Sequence, residues 1–154
     1  MKKLGSKGMK TLKILHIALV SMWAGGALAM MATMLFTSVT SVESMHMRAQ
    51  VLKVIDDVIV TNAAIGCIIT ALLYGIFTNW GFFKQRWITA KWILTIIMML
   101  SGTFLMGPLV NANVDVTDMA TYMSNVGSTL MWGYIQVTML VIVLILSVWK
   151  PKMK

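Results

Sequence analysis

The stretch that decides the fold is "ILHIALVSMWAGGALAMMATMLFT", residues 14–37. Apart from one histidine, His16, its side chains are apolar, small or hydroxyl-bearing, and the run is longer than the about 20 residues that cross a bilayer as a helix. Three further runs follow, at about 54–77, 87–109 and 129–149. The sequence therefore predicts an all-α, integral membrane four-helix bundle that residues 1–154 form as one domain.

Composition agrees with a membrane protein. Hydrophobic residues make up 58% of the chain and charged residues 12%, whereas about 25% of a soluble domain is charged. The formal net charge is +8, and most lysines lie before the first run or after the last. They are Lys2, Lys3, Lys7, Lys10, Lys13, Lys150, Lys152 and Lys154. Such flanking clusters indicate topology signals and contacts with anionic lipids rather than a nucleic-acid site.

Basic residues also predict the orientation. Lys84 and Arg86 lie in the loop between the second and third runs, which is on the same side as both termini when the number of runs is even. The positive-inside rule then predicts that this loop and both termini are cytoplasmic. An aromatic belt at that interface is expected from four tryptophans, namely Trp80, Trp87, Trp92 and Trp149.

Two ionisable side chains lie within the runs, where charge is costly and indicates function. His16 and Lys91 each lie about one turn into a run and, under the predicted topology, at the same depth near the cytoplasmic face. Val20 and Trp23 share the helix face of His16, and Trp87 precedes Lys91 by one turn. We interpret His16 as an imidazole bonded to another helix, as a haem or metal ligand, or as a proton-relay group. Lys91 is expected to snorkel toward the interface beside Trp87.

A second group of candidate ligands lies at the opposite face. Met45, His46 and Met47 are consecutive, and thioether plus imidazole suits Cu(I), so a copper-handling or transport module is an alternative function. His46 and His16 are expected to be about 30 Å apart, the thickness of the hydrocarbon core. One chain is therefore not expected to hold a haem between two histidines.

Two acidic residues open the second run. Asp56 and Asp57 suit the positive end of a helix and are expected to cap it, or to pair with Arg48 or Lys53. Cation binding is the alternative for this pair.

The remaining polar and small residues of the runs are expected to serve structure. Gln136 is expected to bond across helices. Gly66, Thr70 and Tyr74 step by four residues along the second run, which indicates packing. Pro108 is expected to end the third helix.

Two short motifs resemble a known family group. "LHIALVSMWAGG" (residues 15–26) looks like the first helix of HemJ-type and CopD-type membrane proteins, which pairs a histidine with a tryptophan seven residues on and then two small residues. Here these are His16, Trp23, Gly25 and Gly26. "RWITAKW" (residues 86–92) looks like the start of the group's third helix. "YGIFTNWGFFKQRWITAKWILTI" (residues 74–96) is more similar to small uncharacterised bacterial proteins related to that group.

The resemblance implies a haem b-binding protein of the bacterial plasma (inner) membrane, involved in electron transfer or in haem or porphyrin handling. If it is an enzyme, the implied class is an oxidoreductase of the protoporphyrinogen oxidase type. It implies His16 as axial ligand and Lys91, beside Trp87, as the partner of a propionate or as a ligand. Trp23 and the Gly25–Gly26 pair are then expected to line the macrocycle. A departure is that "ALAMMATMLF" (residues 27–36) lacks the arginine of the HemJ pattern.

The sixth haem ligand is expected to be a methionine, or a second His16 supplied by a homo-oligomer. A nucleotide-binding loop, a Ser/His/Asp set and a zinc motif are absent from the sequence, so an NTPase or a hydrolase is not indicated. The remaining alternative is a structural membrane subunit without a cofactor.

Overall fold

The structure is a computed structural model that describes residues 3–78 and 81–149. The described chain is helical between short connections. The helices are α1 (Ser6–Phe36), α2 (Val42–Val54), α3 (Thr61–Phe77), α4 (Arg86–Ser101), α5 (Gly107–Asp115) and α6 (Met119–Trp149). The expectations placed on Lys2, Trp80, Lys150, Lys152 and Lys154 lie outside the described residues.

Two short π-helical segments join these elements into four long helices. The first, Ile55–Val60, makes Val42–Phe77 continuous, and the second, Gly102–Met106, makes Arg86–Asp115 continuous. With α1 and α6 there are four helices in the described part of the chain that are long and apolar enough to cross a membrane. The predicted all-α class is confirmed, and the four helices indicate a multi-pass membrane protein.

The helices extend beyond the predicted runs. The Met45 region lies on α2, and much of the polar stretch between the third and fourth runs is helical up to Asp115 and again from Met119. The polar residues are compatible with helix here because they bond to one another. The buried Asn113 accepts a hydrogen bond from Asn125 Nδ2 at 3.0 Å.

Pro108 does not end the third long helix. A proline removes one backbone donor and clashes with the preceding turn of a regular α-helix. Here the wider π segment Gly102–Met106 comes directly before it, so Pro108 occupies the first turn of α5 as it would at a new helix start. The chain therefore continues to Asp115.

The helix ends meet at two ends of the bundle. We call the end where Ser6, Phe77, Arg86 and Trp149 lie the basic end, and the end where Phe36, Val42, Asp115 and Met119 lie the distal end. At the basic end, the Leu4 backbone N–H donates to the Phe77 carbonyl at 3.0 Å. At the distal end, His46 Nε2 bonds to the Val116 carbonyl at 2.9 Å.

The distal half is a packed core. Its fully buried members include Met45 and Tyr122. We call this group the distal cluster, and it consists of Met30, Met34, Met45, Ala49, Leu52, Val110, Tyr122 and Val126. Unbranched methionine side chains fill irregular gaps between helices, which explains why three of them occur together here.

A buried arginine connects three helices above this cluster. Arg48 Nε donates to the Tyr122 hydroxyl at 2.8 Å, and its guanidinium lies 5.1 Å from the centre of the Tyr122 ring. One of its terminal nitrogens donates to the Thr37 carbonyl at 3.1 Å, just beyond the end of α1. The two acidic residues Asp56 and Asp57 were expected to pair with a basic residue or to cap a helix. The pairing is confirmed for Asp57, which lies 2.8 Å from Lys53. The expected capping was wrong, because the helix begins earlier, at Val42.

A second cluster lies at mid-height. We call it the central cluster, and it consists of Trp23, Ala63, Cys67, Met98 and Leu140. Beside it, Gln136 Nε2 donates to the Met98 carbonyl at 3.1 Å and to Ser101 Oγ at 3.3 Å. The predicted bond of Gln136 across helices is therefore confirmed.

Candidate functional site

The bundle opens into a cavity between the basic end and the central cluster. The cavity has a volume of about 770 Å³, and all four long helices contribute to its wall. Along α1 it extends from Ser6 to Trp23, which is about 25 Å at a rise of 1.5 Å per residue. Trp23, Cys67 and Met98 of the central cluster also line it, so that cluster forms its floor. The volume falls within the range of about 300–1,000 Å³ that is typical of sites for small molecules and cofactors.

Close packing of α1 on α3 places His16 on the cavity wall. At Gly66 a Cβ atom would lie 2.8 Å from Leu19 Cδ2, so the glycine permits this approach. His16 Nδ1 then lies 2.7 Å from Thr70 Oγ1, and the imidazole meets the Tyr74 ring edge-on at a centroid distance of 5.7 Å. No described residue forms a hydrogen bond with the other ring nitrogen, Nε2. The imidazole is thus held by α3 through Thr70 and Tyr74.

Lys91 reaches the same cavity from α4. Its ammonium lies 5.7 Å from the centre of the buried Trp87 ring, one helical turn earlier, as the sequence predicted. Trp87 is itself held by a bond from Nε1 to Gln85 Oε1 at 2.8 Å. Lys91 and His16 therefore line one cavity from two different helices. This arrangement confirms the contact between Lys91 and Trp87, but the burial of Trp87 means that it faces the cavity and not lipid.

Charge and shape divide the cavity into two zones. Lys10 and Lys13 join Lys91 on its wall, and the described residues that line it include no acidic side chain. Its floor, which includes Trp23, is apolar, and two further tryptophans, Trp87 and Trp92, line the wall near Lys91. A cavity with lysines toward the basic end, an apolar floor and aromatic walls suits a flat apolar ligand with acidic groups at one edge.

The predicted site residues do not all come together. His16, Trp23, Trp87 and Lys91 line the one cavity. Gly26 instead packs against the first π segment, because a Cβ there would lie 2.8 Å from Val60 Cγ2 and 3.1 Å from Ile59 Cγ2. Gly25 is exposed with open space around it. The glycine pair, which was expected to line a macrocycle together with Trp23, therefore lies outside the cavity that Trp23 lines.

The side chains of Met45, His46 and Met47 do not converge on one site either. Met45 is buried in the distal cluster, Met47 is 62% exposed, and His46 bonds to Val116. Neighbours two positions apart on a helix point in different directions, which prevents the two thioethers from converging on one ion. Within residues 3–78 and 81–149, there is no group of three or more His, Cys, Asp or Glu side chains that could hold a metal ion.

Several residues of the cavity were missed at the level of sequence. Thr70 and Tyr74 contact His16, although their four-residue step was interpreted as packing alone. Lys10 and Lys13 were interpreted only as topology signals and lipid contacts, and Met98 was not singled out, although all three line the cavity. The step of Gly66, Thr70 and Tyr74 was the available signal, since a small residue, a hydroxyl and an aromatic ring on one face suit a neighbouring histidine.

In comparisons with known proteins, the chain matches no family, curated protein or solved structure.

Proposed function

We propose that this chain is a haem b-binding membrane protein whose cavity holds the porphyrin, with a role in electron transfer or in haem or porphyrin handling. The observation that carries the proposal is the cavity itself, which combines one imidazole, aromatic walls and the lysines Lys10, Lys13 and Lys91. Haem b, when bound, supplies a one-electron redox centre whose properties depend on its axial ligands and surroundings.

The imidazole fits the role of axial ligand. A metal-ligating histidine usually donates its second ring N–H to an oxygen atom, which orients the ring and makes the ligating nitrogen more basic. His16 Nδ1 lies 2.7 Å from Thr70 Oγ1, an oxygen atom that can accept such a bond. Nε2 of His16 is then the nitrogen that would bind iron.

The lysines fit the acidic edge of the porphyrin. Two propionates are the charged groups of haem b, and burial of a carboxylate requires a positively charged or hydrogen-bonding partner. Lys91 would pair with one propionate, and Lys10 or Lys13 with the other, at the basic end of the cavity. The apolar macrocycle would then lie against the tryptophans.

Met98 is the protein's own candidate for the second axial position. It is buried and lines the floor of the same cavity, and its thioether is a known haem ligand type. The alternative is a second His16 from another copy of the chain across a two-fold axis. His46 is unsuitable because it is bonded to Val116 at the distal end.

The distribution of basic residues supports a location. The basic end carries Lys7, Lys10, Lys13, Lys84 and Arg86, and the positive-inside rule favours the cytoplasmic side for such an end. The protein is accordingly proposed to reside in a bacterial inner membrane, with its cavity open toward the cytoplasmic leaflet and its lysines in contact with anionic lipids.

The test is the absorbance of the protein purified in mild detergent, before and after dithionite and with hemin added. We expect a Soret band and, on reduction, a sharpened α-band. His16→Ala should weaken hemin binding at least about 10-fold, because the imidazole is the main protein ligand. His46→Ala is the matched control, since it removes the only other histidine, which lies at the distal end.

Two results would contradict the proposal. Bands that are absent even with added hemin would refute haem binding, and His16 would then serve only to join α1 to α3 through Thr70. Bands that persist unchanged in His16→Ala would refute the ligand assignment.

A further inference from the structure

We infer that Thr70 is a positioning residue for His16: it holds the imidazole as the Nδ1–H tautomer and leaves the Nε2 lone pair for the ligand of the cavity. The inference deepens the proposed function and, for the role of Nε2, depends on it. The assignment of the tautomer itself follows from the hydrogen bonds around one hydroxyl group.

The hydroxyl of Thr70 has three oxygen or nitrogen neighbours and only one proton. Oγ1 lies 2.8 Å from the carbonyl oxygen of Gly66 and 2.9 Å from that of Cys67, both on its own helix. It also lies 2.7 Å from His16 Nδ1. Carbonyl oxygens only accept, so the Thr70 proton has to point toward them if either contact is to be attractive.

The opposite assignment would be costly. If Thr70 donated its proton to Nδ1, its oxygen would face two carbonyl oxygens below 3 Å with no hydrogen between them. Since Thr70 is only 3% exposed, water cannot readily relieve that repulsion. The arrangement that satisfies every group has His16 Nδ1–H donating to Thr70 Oγ1, which donates onward to a carbonyl of α3.

His46 provides an internal contrast. Its Nε2 lies 2.9 Å from the Val116 carbonyl oxygen, which can only accept, so Nε2 must carry the proton. The chain has two histidines, and the structure therefore assigns them opposite tautomers when neutral. His46 presents a proton to a backbone carbonyl at the distal end, whereas His16 presents a lone pair at the cavity.

The surroundings of His16 also restrict its ring. Tyr74 stands edge-on at an interplanar angle of 81°, and it belongs to α3, as Thr70 does. The hydrogen bond defines the direction of Nδ1, and the tyrosine limits rotation about it. Both constraints come from one face of α3, which explains in chemical terms the step from Thr70 to Tyr74.

Nitrogen-15 NMR of the haem-free protein in detergent tests the tautomer without any ligand. Histidine-labelled protein contains only two imidazoles, and His46→Ala assigns them. With both imidazoles neutral, we expect His16 to show a pyrrole-type Nδ1 and a pyridine-type Nε2, and His46 the reverse. A protonated Nε2 on neutral His16 would overturn the inference whatever the outcome with hemin.

Substitutions then test the positioning role. Thr70→Val keeps the shape of the side chain but removes the acceptor, and it should allow the second tautomer of His16 and weaken hemin binding about 10- to 100-fold. Thr70→Ser keeps the hydroxyl, so His16 should keep the wild-type tautomer and hemin affinity should stay within about threefold of the wild type. Thr138→Val is the matched control and should change neither property, because Thr138 also donates to a carbonyl of its own helix, at 2.8 Å, but does not line the cavity.

The results separate this inference from the proposed function. The expected tautomer together with weaker hemin binding in Thr70→Val supports both. Unchanged NMR signals and hemin affinity in Thr70→Val would overturn the positioning role while leaving haem binding in place. A wild-type protein that binds no hemin would refute the proposed function, and with it the role given to Nε2.

Discussion

The two halves of this bundle are built differently, although the same four helices form both. The distal end is closed: Ser41 and Ser44 form a capping box at the start of α2, and Asp118 accepts a hydrogen bond from the Thr121 backbone N–H at the start of α6. At the basic end, α1 and α4 begin without a side-chain cap. The distal cluster lies next to the capped end, and the cavity lies next to the uncapped end.

This difference in packing suggests that the distal half stabilises the bundle and that the basic half binds a ligand. Side chains that fill space and satisfy one another, such as Met45 with Tyr122 and Arg48, stabilise the bundle at the distal end. At the basic end, lysines and an imidazole face a space that the protein does not fill. We expect substitutions in the distal half to change stability and substitutions in the basic half to change ligand binding.

The largest effect on stability is expected from shortening a methionine in the distal cluster. Met45→Ala should lower the free energy of unfolding by about 2–4 kcal/mol, because it leaves a cavity among fully buried neighbours. Met9→Ala makes the same change at a half-buried residue that already borders open space, and should cost less than about 1 kcal/mol. Titration with SDS in mixed micelles, followed by far-UV circular dichroism, measures both. Equal losses would mean that the two halves do not differ in packing.

The glycine pair offers a finer comparison on one turn of α1. Gly26→Ala should destabilise the protein by about 1–3 kcal/mol, since the new methyl group would meet Val60 and Ile59 at 2.8 and 3.1 Å. Gly25→Ala should be neutral or slightly stabilising, because its methyl group enters open space in a helix. The same denaturant titration applies. Tolerance of Gly26→Ala together with loss of hemin binding in Gly25→Ala would restore the original expectation that this pair lines the ligand.

The smallest effect concerns the cap at the distal end. The Thr121 backbone N–H, helped by the Thr121 hydroxyl, holds the pKa of Asp118 below its ordinary value. Because the folded-state pKa is depressed, the cap stabilises α6 fully at pH values above the ordinary Asp pKa of about 3.9. This contribution to stability is lost as the pH falls through the lower pKa of the folded protein.

An NMR titration of the Asp118 carboxyl carbon measures that pKa directly. Thr121→Val removes the hydroxyl bond, keeps the backbone bond, and should raise the pKa part of the way toward the ordinary value. A wild-type value at or above that of free aspartate would contradict the cap.

The class of fold was predictable from the sequence because it depends on length and hydropathy alone. The run at residues 14–37 lies almost wholly within α1. The exact helix ends were not predictable in this way, since they depend on bonds made after folding. Pro108 continues a helix only because a π segment precedes it, and Asn113 is helical and buried beside Asn125, 12 residues further on.

The candidate site was predictable in part for a similar reason. Topology brought His16 and Lys91 to one depth, and helical spacing brought Trp87 to Lys91. The contact between His16 and Thr70 joins residues 54 positions apart, and it depends on how α1 rotates against α3. Arg48 shows the same limit, because its burial depends on Tyr122, 74 positions away, and a hydropathy pattern contains no information on that pairing.

The central claim, that the open half of the bundle holds the ligand, is tested most directly by filling it. Ala71 lines the cavity, and Ala71→Trp should weaken hemin binding at least about 10-fold in a spectral titration, because an indole would occupy the space of the ligand. Ala112→Trp, at an exposed position of α5, should bind hemin as the wild type does. Hemin affinity that is equal in both variants, with their helical spectra unchanged, would place the ligand outside the cavity and contradict the account.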